Sequence, residues 1–291
     1  MSQILSANLS GFIPTDLASG IIADTTRGSA VMGLANIIPM ATPEKKFNVL
    51  ASGAGAYWVG EGEKIQTSAN AYIQASMVAK KLGVIIPVSS EALNFSTVDV
   101  FSEHKKQIAE AFAVKFDQAA LFGVDSPYGV GKSVYEKIVA TGNEFTLGSV
   151  VGQEIGGDLS DLMALVEADG YDVNGFAGPV TMKNRLRKAK DDAGNQVFRD
   201  LTKDSPAEIY GSPLAYVRNG AWDATKSNLI VGNFDNIYVG VLQGIEYSVS
   251  KDATVGTINL FEQDMVALRA TMHIAFLVVR DNSFASLKPK V

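Results

Sequence analysis

Hydrophobic and polar positions follow two periods along this chain, and the longest stretch with the helical one runs from Ser96 to Gly123. Phe101, Ile108, Phe112, Phe116 and Ala119 recur on one stripe, while Lys105, Lys106, Glu110, Lys115 and Asp117 fall mostly on the other side. Ser96 can cap the start, Asp99 complements the dipole three residues on, and Gly123 stands where a C-cap glycine belongs. The pattern predicts a helix over 97–122, a rod of roughly 39 Å at ~1.5 Å per residue. Globular helices average about 11–12 residues. So long a helix either packs one face into a core or forms a spine spanning an elongated subunit.

The second period is that of strands. From Val266, the residues Leu268, Ala270, Met272, Ile274, Phe276 and Val278 form one apolar face, with Arg269, Thr271 and His273 opening the other. Roughly 14 residues give a strand of about 46 Å, so helix and strand are expected to run side by side. Tyr57–Glu63 and a polar tip, Lys64–Asn70, precede an extended run, Ala71–Val88. Ile73, Ala75, Met77 and Ala79 alternate there with Tyr72, Gln74, Ser76 and Val78; after Lys80 and Lys81 the apolar phase slips to Leu82, Val84, Ile86 and Val88. A one-residue slip predicts a bulge or a sharp twist. Two long strands around a polar tip make an extended hairpin, which needs something to lie on.

Residues 1–50 are punctuated by Pro14, Gly20, Gly28, Gly33, Pro39 and Pro43. Leu17–Thr26 fits a short helix and Ala30–Met40 an extended arm that lies on its own domain or on a neighbour. After the long helix, Val124–Lys132 reads as a loop, Val134–Ala140 as a short apolar segment and Gly142–Gly157 as loop. The middle block is mixed α/β and forms a separate lobe. It holds a helix Leu159–Asp169 capped by Asp158, a turn at Asn174-Gly175 before a strand Phe176–Met182, and a basic helix Lys183–Lys190. Strands are expected at Ser212–Val217 and Asn228–Val231, with a hairpin of Asn236–Leu242 and Ile245–Ser250 around Gly244.

Composition narrows the function classes. The chain has 291 residues, 47% of them hydrophobic and 19% charged, so a packed core is expected. A net charge of -6 argues against a nucleic-acid reader, though not against a protein that stands near DNA without gripping it. The chain has no cysteine, which rules out thiol chemistry, disulfides and thiolate-bound zinc. The start shows no signal peptide and no apolar run approaches the ~20 residues that span a bilayer, so a soluble, cytoplasmically made protein with no membrane partner is expected.

Candidate chemistry is sparse. Ser126–Ser133, SPYGVGKS, ends like a phosphate-binding loop, but Ser126 stands where the first Gly should be and a helix precedes it, which favours a plain turn. His104 and His273 have no His or Cys partner nearby. There is no G-x-S-x-G elbow. Glu61 and Glu63 lie two apart, which fits acid–base work less well than an exposed charged edge. Asp191-Asp192 lacks calcium-loop spacing. The basic helix with Lys183, Arg185, Arg187, Lys188 and Lys190 fits a solvated face or a surface for an acidic or phosphate partner. No catalytic residue, metal site or cofactor is predicted.

Taken in order, the pieces resemble the Hong Kong 97-type major capsid proteins of tailed phages. The likeness rests on an arm (Gly11–Pro43), an extended E-loop (about Ala51–Lys81) with VGEGEKI at its tip, the spine helix, the glycine-rich LFGVDSPYGVG, and LRKAKDDAGNQVF in the middle lobe. GSPLAYV and LIVGNFDNIYVGVLQGIEYSVS continue that lobe, and FEQDMVALRATMHIAFLVVRDNSFASL closes the chain. The resemblance implies an α+β fold with an N-terminal arm over 1–50, the E-loop and start of the P-domain over 51–90, and the P-domain with its spine over 91–150. The A-domain would follow over 151–255, with a return to the P-domain over 256–291.

It implies a non-enzymatic subunit that self-assembles into the icosahedral shell of a double-stranded DNA phage, located in the virion and assembled in the host cytoplasm. The alternative is an encapsulin-like compartment, with an α/β enzyme as a more distant reading. Implied partners are further copies in pentamers and hexamers, a separate scaffolding protein, a portal, a decoration protein, and packaged DNA contacted non-specifically. Ile13, Leu17, Trp58, Glu61, Glu63 and Lys64 are the expected subunit-interface residues. Some family members crosslink an E-loop Lys to an Asn with a helper Glu. Here Lys64 is a possible donor, but Asp264 and Thr271 stand at the other two positions, so no crosslink is expected. The arm begins almost at Met1, which leaves no long fused scaffolding segment to expect.

Overall fold

A computed structural model describes residues 28–52, 59, 61, 64, 67, 71–91, 100–149, 155–190, 197–198, 208–217 and 220–290. The first half of the described chain holds helix α1 (Ala30–Leu34), strands β1 (Asn36–Pro39), β2 (Glu44–Ser52), β3 (Ala71–Val78) and β4 (Lys80–Ser89), then the long helix α2 (Val100–Phe122) and helix α3 (Val134–Thr141). Next come β5 (Glu144–Thr146), α4 (Ile155–Ala168), β6 (Gly175–Pro179), α5 (Met182–Lys188), β7 (Glu208–Ile209), β8 (Ser212–Val217) and β9 (Leu229–Gly232). The last part contains β10 (Ile237–Ser250), β11 (Thr254–Val255), β12 (Ile258–Asn259), β13 (Met265–Val278) and β14 (Phe284–Lys288).

A four-stranded sheet in the order β1-β10-β13-β4 carries α2 on one face. The expected stripe meets the expected strand face: Ile108, Phe112 and Phe116 pack in one cluster with Leu268, Ala270, Met272, Ile274 and Phe276. Phe116 and Phe276 meet edge to face at 6.2 Å. The helix stops at Gly123, whose φ of 69° only glycine adopts freely; its N–H donates to the Ala119 carbonyl, and that of Val124 to Gln118. The expected caps Ser96 and Asp99 lie outside the described residues, as does the helix expected over Leu17–Thr26. Asp117, expected among the outward charges, is fully buried, because it shares a helix face with Ala113 and Ala120.

The second sheet, β5-β14-β9-β6-β8-β7, has its own core, in which Leu159, Leu162 and Val166 of α4 pack on Phe176, Leu214, Val231 and Leu287. The chain's last described strand, β14, runs here between β5 and β9, while β13 lies in the first sheet. Gly232 is required on β9, since a Cβ there would collide with the Ser283 carbonyl and the Phe284 ring.

Several local readings change. Ala30–Leu34 is helical rather than extended, because the Ser29 hydroxyl accepts the Met32 N–H and caps it. A strand begins at Glu44, inside the stretch read as irregular. The phase slip at Lys80 is a change of sheet: β3 pairs with β2, and β4 pairs with β13. Residues 237–250 form one strand and not a hairpin, because β13 is long enough to pair with both halves; the irregularity appears only as register shifts near Gln243. Helix α4 starts before Asp158, whose carboxylate accepts the Gly148 N–H at 2.8 Å instead of capping. Val134–Ala140 is helical and residues 144–146 of the expected loop form β5.

Candidate assembly surfaces

The face of the four-stranded sheet opposite α2 is partly covered by the foot of the β2–β3 hairpin. Met40, Met77 and Ala275 are buried there, Phe47 stacks on Tyr238 at 5.6 Å, and Ile38, Leu242 and Leu277 close the edges. Gly240 makes the approach possible: a Cβ would collide with the Met40 sulfur and stand 2.8 Å from the Met77 methyl. Away from that foot the hairpin has less to lie on. Tyr72 is 64% exposed, and Gln74 and Ser76 are exposed too. A two-stranded hairpin is marginal alone in water, and here only its foot is packed on the sheet.

The start of the described chain is clasped to α2 by Asp117. Its carboxylate accepts the Ser29 hydroxyl at 2.5 Å, the Ala30 N–H at 2.9 Å and the Val31 N–H at 3.4 Å. Burial pushes this carboxyl up to about 6, and the three donors, which favour the ionised form, only partly offset it. The clasp fixes Ser29, Ala30 and Val31 against α2. No sequence pattern singled it out, although the Ala113–Asp117–Ala120 spacing carried the signal.

Exposed apolar side chains mark other surfaces. Phe261 is 78% exposed on a turn anchored by fully buried Leu260, and Val130 is 94% exposed in the loop after α2. That loop is a plain turn: Gly129 and Gly131 have positive φ, and the Ser133 hydroxyl accepts the Glu136 N–H and donates to its carboxylate at 2.7 Å. The Ser133 N–H also donates to that carboxylate, which leaves neither Ser133 donor for a phosphate. Lys183 of α5 lies 4.6 Å over the Tyr216 ring, so the basic helix is in part a packed face. Among the described residues no group of three His, Cys, Asp or Glu could hold a metal, and no helix is long and apolar enough to cross a membrane.

Of the expected interface residues, Glu61 and Lys64 are exposed, in the stretch between β2 and β3. Trp58, Glu63, Ile13 and Leu17 lie outside the described residues. Asp264 has a φ of 46° in the turn before β13, and its carbonyl accepts the Ser90 N–H. Thr271 stands on β13 opposite Gly83, on the sheet face away from α2. The structure does not bring these positions to Lys64 within the described residues.

A family model described as the phage capsid family matches residues 10–288. The chain is 37% identical over 287 residues to the major capsid protein of Staphylococcus phage 80alpha, covering 96% of this chain and 85% of that protein. A solved structure from Microbacterium phage Oxtober96 superposes with a TM-score of 0.81 at 28% identity, covering 90% of this chain and 91% of that one. One from Mycobacterium phage Cain gives 0.81 at 28%, with 91% of each chain covered. The overall α+β fold is thus shared with these structures, and the chain belongs to the phage capsid family.

Proposed function

We propose that the chain is the major capsid protein of a tailed double-stranded DNA phage and that its work is self-association into the icosahedral shell of the virion. The observation that carries this reading is the β2–β3 hairpin, which is packed at its foot and exposed at Tyr72, together with the family match over residues 10–288. Its relatives by sequence and fold come from phages, which favours a viral shell over an encapsulin-like compartment. In this reading the four-stranded sheet and α2 form the P-domain, the six-stranded sheet the A-domain, and the hairpin the E-loop. The strand β14 then belongs to the A-domain and β13 to the P-domain.

The arm before Ser29 and the E-loop segment with Trp58, Glu61, Glu63 and Lys64 lie on neighbouring copies, with Ile13 and Leu17 as apolar anchors of the arm. Pentamers and hexamers close the shell through many modest contacts. A separate scaffold guides assembly in the host cytoplasm, a portal and a decoration protein complete the particle, and the acidic chain touches packaged DNA without gripping it. No catalysis and no autocatalytic crosslink is involved, given Asp264 and Thr271; a ladder of covalent multimers on a denaturing gel would overturn that.

The experiment is expression of the chain with and without its scaffold, followed by sedimentation and electron microscopy. Closed shells, or rings of five and six, are expected. A monomer that stays inert with scaffold present would sink the reading, and shells that enclose a cellular enzyme would shift it to the compartment.

A further inference from the structure

Helix α5 and strand β8 of the second sheet bring three hydrogen-bond donors together with no carboxylate among them. Tyr216 of β8 pairs with Gly178 of β6, the strand that leads into α5. The Lys183 ammonium lies 4.6 Å over the Tyr216 ring. The Tyr216 hydroxyl is shut off from solvent and has no hydrogen-bond partner. Burial pushes this phenol up to about 12, and the Arg187 guanidinium works the other way. At neutral pH the group is therefore an O–H donor. A buried donor without an acceptor is costly, and a ligand that supplies the acceptor removes that cost.

Arg187 stands four residues after Lys183, so the two share one face of α5. Arg187 is exposed, and its Nε donates to the Lys183 carbonyl at 3.3 Å, which leaves both amino groups of the fork free. Arg185 and Lys188 are exposed too, but at about 3.6 residues per turn they leave the helix on another side. Among the described residues none of these four cations has an ion pair. Asp191 and Asp192, which follow in sequence, lie outside the described residues.

We propose that Lys183, Arg187 and Tyr216 form a binding site for the terminal phosphate of a small molecule. The Arg187 fork takes two phosphate oxygens side by side. The Tyr216 hydroxyl donates to the third, and the Lys183 ammonium balances the charge. A carboxylate has two oxygens for these donors, and so does a backbone phosphodiester; a terminal phosphate has three. The hydroxyl also lies below the surface, where a small anion reaches it once the exposed Arg187 fork turns aside and a stiff DNA duplex does not. Binding needs one folded copy and no shell, so the site stands apart from the assembly reading above.

The test is a phosphorus NMR titration of the full, unassembled chain with pyrophosphate, at neutral pH in about 0.15 M sodium chloride to screen diffuse charge. Broadening that saturates with a Kd of roughly 1 mM or tighter is expected. Tyr216→Phe keeps the ring under Lys183 and removes only the O–H, and should weaken binding about tenfold. Arg187→Gln should weaken it by at least about tenfold, and because its side chain is exposed it keeps the test open if Tyr216→Phe disturbs the fold. Arg185→Gln and Lys188→Gln should stay within about twofold of the parent. No saturable broadening up to about 10 mM overturns the site. So does a loss at Arg185 or Lys188 equal to that at Arg187, which would mark a diffuse basic face. A response to a short DNA duplex and none to pyrophosphate overturns it as well. Each of these outcomes leaves the shell reading as it is.

Discussion

Helix α2 and the foot of the β2–β3 hairpin rest on opposite faces of the same sheet, and they are held by very different amounts of buried surface. On the helix side, Ile108, Phe112 and Phe116 join a continuous cluster that reaches Leu268–Phe276, Val134 and Phe234. On the hairpin side the fully buried set is Met40, Met77 and Ala275. Each large side chain moved from water to a core contributes ~1.5–3 kcal/mol, so the first contact is self-sufficient and the second is not. The body carries its own core, whereas the outer part of the hairpin, at Tyr72, Gln74 and Ser76, is left exposed by its own chain. Methionine at the foot suits that arrangement, because its flexible thioether repacks when the hairpin tilts.

The largest effect is expected where the core is deepest. Phe112→Ala leaves a cavity between α2 and the sheet and should lower body stability by ~3–5 kcal/mol, read as a lower urea midpoint at unchanged slope. If the loss were under about 1 kcal/mol, the contrast between the two faces would be wrong.

Next in size is the clasp at Asp117. Its carboxyl is raised in the folded chain from an unfolded value of 3.8 to about 6, so the associated stability is present below pH 3.8 and is lost as pH rises through 6. The shift corresponds to roughly 3 kcal/mol at most across that window. Asp117→Asn keeps the shape and cannot ionise, so its stability should be flat where the parent's falls between pH 4 and 7.5. Parallel curves for parent and variant would show that Asp117 titrates normally.

Why the body was easier to read than the hairpin follows from the same contrast. Phe112 and Phe116 on α2, and Leu268 to Val278 on β13, are buried by their own chain, so their spacing matches the element that buries them. The slip at Lys80 reads as a bulge or a sharp twist because a sequence records the change of face but not the change of sheet. Gly244 looked like a turn because nothing local reveals that β13 is long enough to carry β10 straight through. Glu44–Ser52 reads as irregular because Pro39 and Pro43 punctuate the stretch before it, although Phe47 and Val49 do alternate with exposed Lys46 and Asn48. Glu61 and Lys64 are exposed in a single copy, so the candidate site was legible as chemistry and not as geometry. Asp117 escaped because a carboxylate among alanines reads as solvent-facing until Ser29 is brought to it.

Gly240→Ala separates the two faces directly. The added methyl displaces the flexible ends of Met40 and Met77, for a cost of ~1–3 kcal/mol confined to the hairpin foot. Hydrogen exchange should quicken across β2 and β3 while the urea midpoint of the body barely moves. An equal loss of protection in α2 would mean that hairpin and body form one cooperative unit, and that the hairpin does not depend on a second copy.

The smallest effect sharpens the contrast from the other side. Ser133 and Glu136 form a reciprocal cap at the start of α3, with both the Ser133 hydroxyl and its N–H engaged by the Glu136 carboxylate. Ser133→Ala leaves the Glu136 N–H without its acceptor in a fully buried corner and should cost ~0.5–2 kcal/mol. Because α3 packs on α2 and β14, that loss belongs to the body. It should lower the urea midpoint and leave hairpin exchange and particle yield unchanged. If particle yield fell with the midpoint intact, the turn before α3, with fully exposed Val130, would be acting at an interface and not as a cap.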